Sequence, residues 1–159
     1  MGRGSEPPQA SPPLSAAAAG PILAVDFGHR RIGLAITDAE RRLALPLTTL
    51  ARASDRQAVR RIAALAAERG VSELVVGDPR TLDGGVGEAS LRARGFADKL
   101  AAATGLRCTL VTETLTSAAA EERLREAGAE PRRHRERIDQ LAAQLLLEEL
   151  LARRARGER

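Results

Sequence analysis

The 159-residue chain has no tryptophan, no tyrosine, one cysteine, one lysine and only two phenylalanines, Phe27 and Phe96. Each shortage excludes something. Without aromatic platforms, binding of single strands by base stacking is not the expected mode. A lone Cys108 cannot build a disulfide framework within one chain and suits a reducing compartment. No apolar run approaches the roughly 20 residues that span a bilayer, so a membrane protein is not expected. No basic stretch followed by an apolar segment opens the chain, so a cytoplasmic location is expected over secretion.

Arginine is what the sequence has instead. Lysine and arginine total 25 against 21 acidic residues, a formal charge of +4, and all but Lys99 of the basic residues are arginine. The guanidinium fork donates two parallel hydrogen bonds to a phosphate, which makes nucleic acid a plausible partner. An arginine-rich codon bias gives the same count. The first 20 residues, rich in Pro, Ala, Ser and Gly, read as a disordered tail. The ordered domain is expected over 21–152, with a short basic tail over 153–159.

Hydrophobic patterning gives the order β-β-β-α-β-α-β-α-α. Residues 22–27, 32–37 and 43–50 read as three hairpin-linked strands, with Pro46 favouring an edge position for the third. Ser54 followed by Gln57 is a capping-box signature and opens a helix that Gly70 stops. A short strand over 73–77 leads into a Gly-rich loop over 78–90, then a helix to about Thr104, and a fifth strand over 107–113. A helix over about 117–127, a basic loop PRRHR and a last helix over about 136–153 complete the chain. The expected fold is a mixed five-stranded α/β sheet, three strands antiparallel and two parallel, flanked by helices.

Three carboxylates break the buried-apolar pattern. Alternate residues of a strand share a face, so Asp26 continues the row of Ile22 and Ala24, and Glu113 continues that of Thr109 and Val111. Asp139 lies at helical spacing from Ala142, Ala143, Leu146 and Leu150, on the apolar side of the last helix. A charge in apolar company is costly alone. Gathered in space, the three are hard oxygen ligands suited to Mg2+ or Mn2+. Each also has a plainer reading: Asp26 as a turn residue, Glu113 as a helix cap or solvated strand end, Asp139 as a partner of Arg135 or Arg132. Arg30 and Arg31 in the first turn, and Arg132 and Arg133 in the basic loop, are candidate phosphate contacts or solvated side chains. His29 and His134 lack metal-ligand spacing, Asp38 reads as a turn opener and Cys108 as a packing residue.

The segments DFGHRRIGLAITD with LALPLTTL, VVGDPRTLDGGVGE, TETLTSAAAEERLREAG and IDQLAAQLLLEELL resemble, in order and spacing, the YqgF (RuvX) family. That family comprises Holliday junction resolvase-like proteins, also described as pre-16S rRNA nucleases. The resemblance runs from about Pro21 to Leu151. It implies a ribonuclease H-like fold and a metal-dependent endonuclease acting on structured RNA or branched DNA. It also implies ribosomal precursor particles as a partner, and the family's acidic residues fall on Asp26, Glu113 and Asp139. Two departures stand out. Thr112 and Thr114 flank Glu113 where the family reads Asp-Glu-Arg, and Gly77-Asp78-Pro79-Arg80 replaces Gly-Leu-Pro-Leu. Asp78 is then an added ligand or, with Arg80, a surface ion pair. A catalytically weak nucleic-acid-binding module is the alternative function. A sugar-kinase-like or actin-like phosphotransferase shares the Asp-x-Gly hairpin but needs a second lobe, for which the chain has no room.

If Arg132 and Arg133 touch phosphates, replacing both with Gln flattens the dependence of log affinity on log salt for duplex or junction DNA. An unchanged slope makes them bystanders.

Overall fold

In the structure, a computed structural model, residues 20–80, 83–113, 122, 125, 126, 128 and 131–158 are described. Among these residues eight elements follow in the order β1 (Ile22–Phe27), β2 (Arg31–Thr37), β3 (Ala44–Ala51), α1 (Asp55–Glu68), β4 (Glu73–Pro79), α2 (Glu88–Thr104), β5 (Arg107–Glu113) and α3 (Pro131–Ala155). The strands form one sheet in the order β3-β2-β1-β4-β5. β1–β2 and β2–β3 pair antiparallel, whereas β1–β4 and β4–β5 pair parallel. This is the mixed sheet expected from the sequence. β3 is an edge strand, where Pro46 removes no inner ladder bond. A register shift beside it sets Leu34 opposite Thr48 and Ala35 opposite Pro46.

Strand alternation divides the core into two layers. On one face Leu23, Val25, Leu34, Leu74 and Val76 pack under α1 and α2. On the other, Ile22, Ala24, Ala35, Val75 and Val111 meet Ala143, Leu146, Leu147 and Leu150 of α3. The Ser54 side chain accepts a hydrogen bond from the Gln57 N–H, capping α1 as its sequence predicts. Gly105 closes α2 in the left-handed conformation (φ 69°) that favours glycine.

Four boundaries differ from the sequence reading, among them the start of α2 at Glu88, inside the expected 78–90 loop. β4 continues through Asp78 and Pro79, which pair with Thr112 and Glu113, where the sequence reading begins the Gly-rich loop. PRRHR is the first turn of α3 and not a loop. Pro131 fits the start of a helix, where its missing N–H has no intrahelical partner to lose. α3 also runs to Ala155, past the expected end of the domain. The N-terminal tail, the expected 117–127 helix (apart from residues 122, 125 and 126) and Thr114 lie outside the described residues.

Glu73, at the start of β4, ties α3 to the sheet. Its side chain is 7% exposed. Arg154 of α3 donates to both carboxylate oxygens, Arg41 Nη1 to Oε2 at 3.1 Å, and Thr109 Oγ1 to Oε1 at 3.3 Å. Arg41 sits in the β2–β3 turn with φ 59° and also reaches the Gly20 carbonyl and Ser72 Oγ. That turn opens on Asp38, whose Oδ1 accepts from the Arg42 and Leu43 N–H groups, as its sequence role requires. Cys108 packs against the α1–α2 core, and burial, with Asp98 nearby, pushes its thiol up to about 11. The thiol is therefore unreactive near neutral pH.

Burial alone would push the Glu73 carboxyl up, but Arg154, Arg41 and Thr109 together hold it below the ordinary glutamate value. A carboxyl depressed in the folded state stabilises the fold above its unfolded pKa and loses that contribution as pH falls through the folded one. Acidification from about pH 6 to about pH 3 therefore lowers the melting temperature partly through this group. In Glu73→Gln the melting temperature at neutral pH is lower and the acid-induced fall is shallower. Parallel curves for the two proteins would remove Glu73 from the acid transition.

Candidate active site

The parallel strands β1, β4 and β5 end at the same edge of the sheet, and there Asp26, Asp78 and Glu113 lie. Asp26 is partly exposed near the end of β1. The β1–β2 turn is tight: the Gly28 N–H donates to the Arg31 carbonyl at 3.0 Å, and a Cβ on Gly28 would lie 2.4 Å from that oxygen. The Phe27-Gly28 pair after the aspartate is thereby explained. Phe27 turns to the opposite face from Asp26 and stacks on Phe96 with centroids 4.4 Å apart. Arg52 covers the other side of Phe27, its guanidinium carbon 4.7 Å from the ring centroid. Arg52 also donates to the His29 carbonyl and to Asp55, so it braces the turn. Sequence reasoning missed this brace, which joins residues with no shared periodicity.

Gly33 is the register partner of Asp26 in β2. A Cβ on Gly33 would fall 1.9 Å from the Asp139 carbonyl oxygen and 2.9 Å from its Cα. The α3 backbone thus rests on the sheet at Asp139. Because cross-strand partners project from one face, Asp26 and Asp139 occupy adjacent positions on the α3 side. Position 113 belongs to the same row as Val111, which packs under α3. The Glu113 side chain lies outside the described residues. Among the described residues no three His, Cys, Asp or Glu side chains form a metal-sized group.

Asp139 is not the unpaired charge its helix phase suggested. Arg31 Nε donates to Asp139 Oδ2 at 2.7 Å, with the two side chains 38% and 17% exposed. The partner comes from β2, and not from the preceding turn of the same helix. Arg31 therefore holds a carboxylate, whereas Arg30 is exposed at the turn. Arg132 and Arg133 belong to the first turn of α3, and their side chains lie outside the described residues. Asp78 does pair with Arg80, but inside the protein: it is 2% exposed, and Arg80 and Arg94 both reach Oδ2 at 3.1 Å. Strand alternation puts it in the row of Leu74 and Val76, under α2 and away from Asp26. It is not a fourth ligand of that group.

A mixed sheet of this order, covered by helices on both faces, is a ribonuclease H-like fold. The structure superposes on Thermus thermophilus RuvC in complex with a Holliday junction substrate with a TM-score of 0.55, covering 86% of this chain and 96% of that one at 14% identity. A second T. thermophilus RuvC structure gives 0.51 over 85% and 96% at 16% identity. The family model described as RuvX, Holliday junction resolvase, matches residues 20–153, and the chain belongs to that family. A relative from Chloroflexus aggregans, named "Putative pre-16S rRNA nuclease", is 45% identical over 130 residues, 82% of this chain and 92% of the relative. Relatives of the same name from Anaeromyxobacter sp. (41%, covering 84% and 97%) and Thermosynechococcus vestitus (38%, covering 84% and 89%) match at similar length. No helix among the described residues is long and apolar enough to cross a membrane.

Gly33→Ala tests the geometry of the site. The added methyl must displace α3 at Asp139, so the fold loses on the order of 1–3 kcal/mol, as overpacked cores do. Urea denaturation should show a lower midpoint. An unchanged midpoint would mean that α3 does not rest on the sheet at this point.

Proposed function

We propose that the chain is an endonuclease that cleaves phosphodiester bonds in structured nucleic acid with a divalent cation, Mg2+ or Mn2+, and that its substrate is precursor 16S rRNA. The observation that carries this reading is the adjacency of Asp26 and Asp139, imposed by the contact of α3 with Gly33. Two carboxylates on one partly exposed sheet edge are a hard-oxygen donor set, and the strand position of Glu113 supports a third. These three residues would hold the cation. Bound there, such ions supply an activated water and stabilise the leaving oxygen. The names of the relatives favour the RNA substrate over a four-way junction, and precursor ribosomal particles are the corresponding partner.

The chain's own residues have separable roles. Arg31 fixes the orientation of the Asp139 carboxylate through Oδ2. Gly28 and Arg52 keep the turn after Asp26 closed, and Arg30 presents a cation to solvent beside it. One observation favours the second reading, a weakly catalytic nucleic-acid-binding module: Arg31 already neutralises one of the carboxylates.

Asp139→Asn separates the two. In the nuclease, cleavage of a pre-16S rRNA fragment with Mn2+ falls about 10²-fold or more, whereas RNA binding persists. Because a partly exposed ion pair with Arg31 is lost, metal-free stability falls by at most about 1 kcal/mol. Mn2+ raises the melting temperature of the natural protein by linkage, and raises it less in Asp26→Asn. Equal turnover in Asp139→Asn and the natural protein, with equal Mn2+ shifts in Asp26→Asn, would sink the catalytic assignment and leave the binding module.

A further inference from the structure

We propose that Arg80 and Arg94 form a phosphate-binding pair that holds the substrate backbone beside the strand ends bearing Asp26 and Glu113. The proposal rests on the nuclease reading and adds to it a contact on β4 and α2. Asp78 is the base of the pair. Its Oδ1 accepts from Ser90 Oγ, its Oδ2 accepts from Arg94 Nη2 at 3.1 Å, and Arg80 Nη2 forms an ion pair with the same oxygen at 3.1 Å. Ser90 is fully buried and Asp78 is 2% exposed, so the base is rigid.

One guanidinium suffices to neutralise a buried carboxylate. Here two converge on one oxygen, and the cluster carries two positive charges against one negative, a surplus of +1. Both arginine Nε atoms are buried with no hydrogen-bond partner among the described residues. A guanidinium has five N–H donors, and Asp78 cannot occupy those of two. Both side chains nevertheless reach the surface, 27% exposed for Arg80 and 39% for Arg94. The buried Nε atoms are out of reach of a ligand, but the exposed ends of two oriented forks with surplus charge suit a phosphodiester, which accepts several hydrogen bonds at once.

The register puts this pair where a substrate strand must pass. Pro79 pairs with Glu113, and Val25, which precedes Asp26, pairs with Val76. Arg80 therefore emerges at the C-terminal edge of the sheet, from the strand between those of the two acids. Asp78 itself faces α2, so the pair approaches that edge from the α2 side, opposite α3.

Arg80→Gln is the mild test, because Asp78 keeps Arg94 and Ser90 and the fold keeps a paired carboxylate. Binding of a labelled four-way DNA junction and of a structured RNA hairpin by the full chain is measured in EDTA over a range of salt. Arg80→Gln should weaken binding about fivefold at about 0.1 M salt, and the slope of log affinity against log salt should shrink by about 0.9 for one lost duplex contact. Arg80→Lys should restore most of the slope, and Arg94→Gln should repeat the loss. Unchanged affinity and slope in folded Arg80→Gln, with only a lower melting temperature, would overturn the proposal and leave a structural ion pair. If the natural protein binds neither probe in a salt-dependent way, the nucleic-acid reading fails together with it.

Discussion

The absence of a side chain at Gly33 is the constraint on which the α3 half of the molecule depends. With a Cβ there only 1.9 Å from the Asp139 carbonyl, α3 could not lie on the sheet. The surrounding surfaces are correspondingly small: Ala24 and Ala35 on the strands, Ala142 and Ala143 on the helix, all buried. Close approach of backbones buries Ile22, Val75, Leu146 and Leu147, and such fully buried side chains contribute roughly 1.5–3 kcal/mol each. The same approach sets Asp139 beside the strand position of Asp26. Packing and site assembly are thus one requirement, met at one residue.

Buried carboxylates and those at the edge of the sheet are set differently. Glu73, at the start of β4, is buried and answered by Arg154, Arg41 and Thr109. Asp78, near the end of the same strand, is buried and answered by Ser90, Arg80 and Arg94. Asp26 and Asp139 remain partly exposed at the C-terminal edge. Removing one partner from a buried pair leaves an uncompensated charge and costs far more than a surface pair ever contributes. Part of the arginine content that suggests nucleic acid in the sequence is therefore engaged in ion pairs within the fold. Arg31, Arg41, Arg80, Arg94 and Arg154 all hold carboxylates.

What was legible in the sequence was what obeys a short period. Strand alternation isolates Asp26, helix phase isolates Asp139, and Ser54 with Gln57 marks the start of α1 where the structure has it. The illegible parts join residues far apart in the chain. Arg31 and Asp139 are 108 positions apart, and Arg154 and Glu73 are 81 apart. No local pattern announces such a pair. Two signals were present but unused. Gly33, alone inside an apolar strand, is the usual mark of a close backbone approach. Pro131 ahead of a charged run is as good a helix opener as a loop residue.

The Arg31–Asp139 pair sets part of the charge balance at this edge. Between Asp26 and Asp139, Arg31 offsets some of the repulsion of the two carboxylates. In the proposed nuclease, a cation coordinated by Asp139 would compete with Arg31 for its Oδ2. The guanidinium is 38% exposed; released from Asp139, it can turn to solvent or to a phosphate without leaving a buried charge behind. The pair thus stabilises the edge, and in the proposed nuclease a cation held by Asp139 would release the arginine toward solvent.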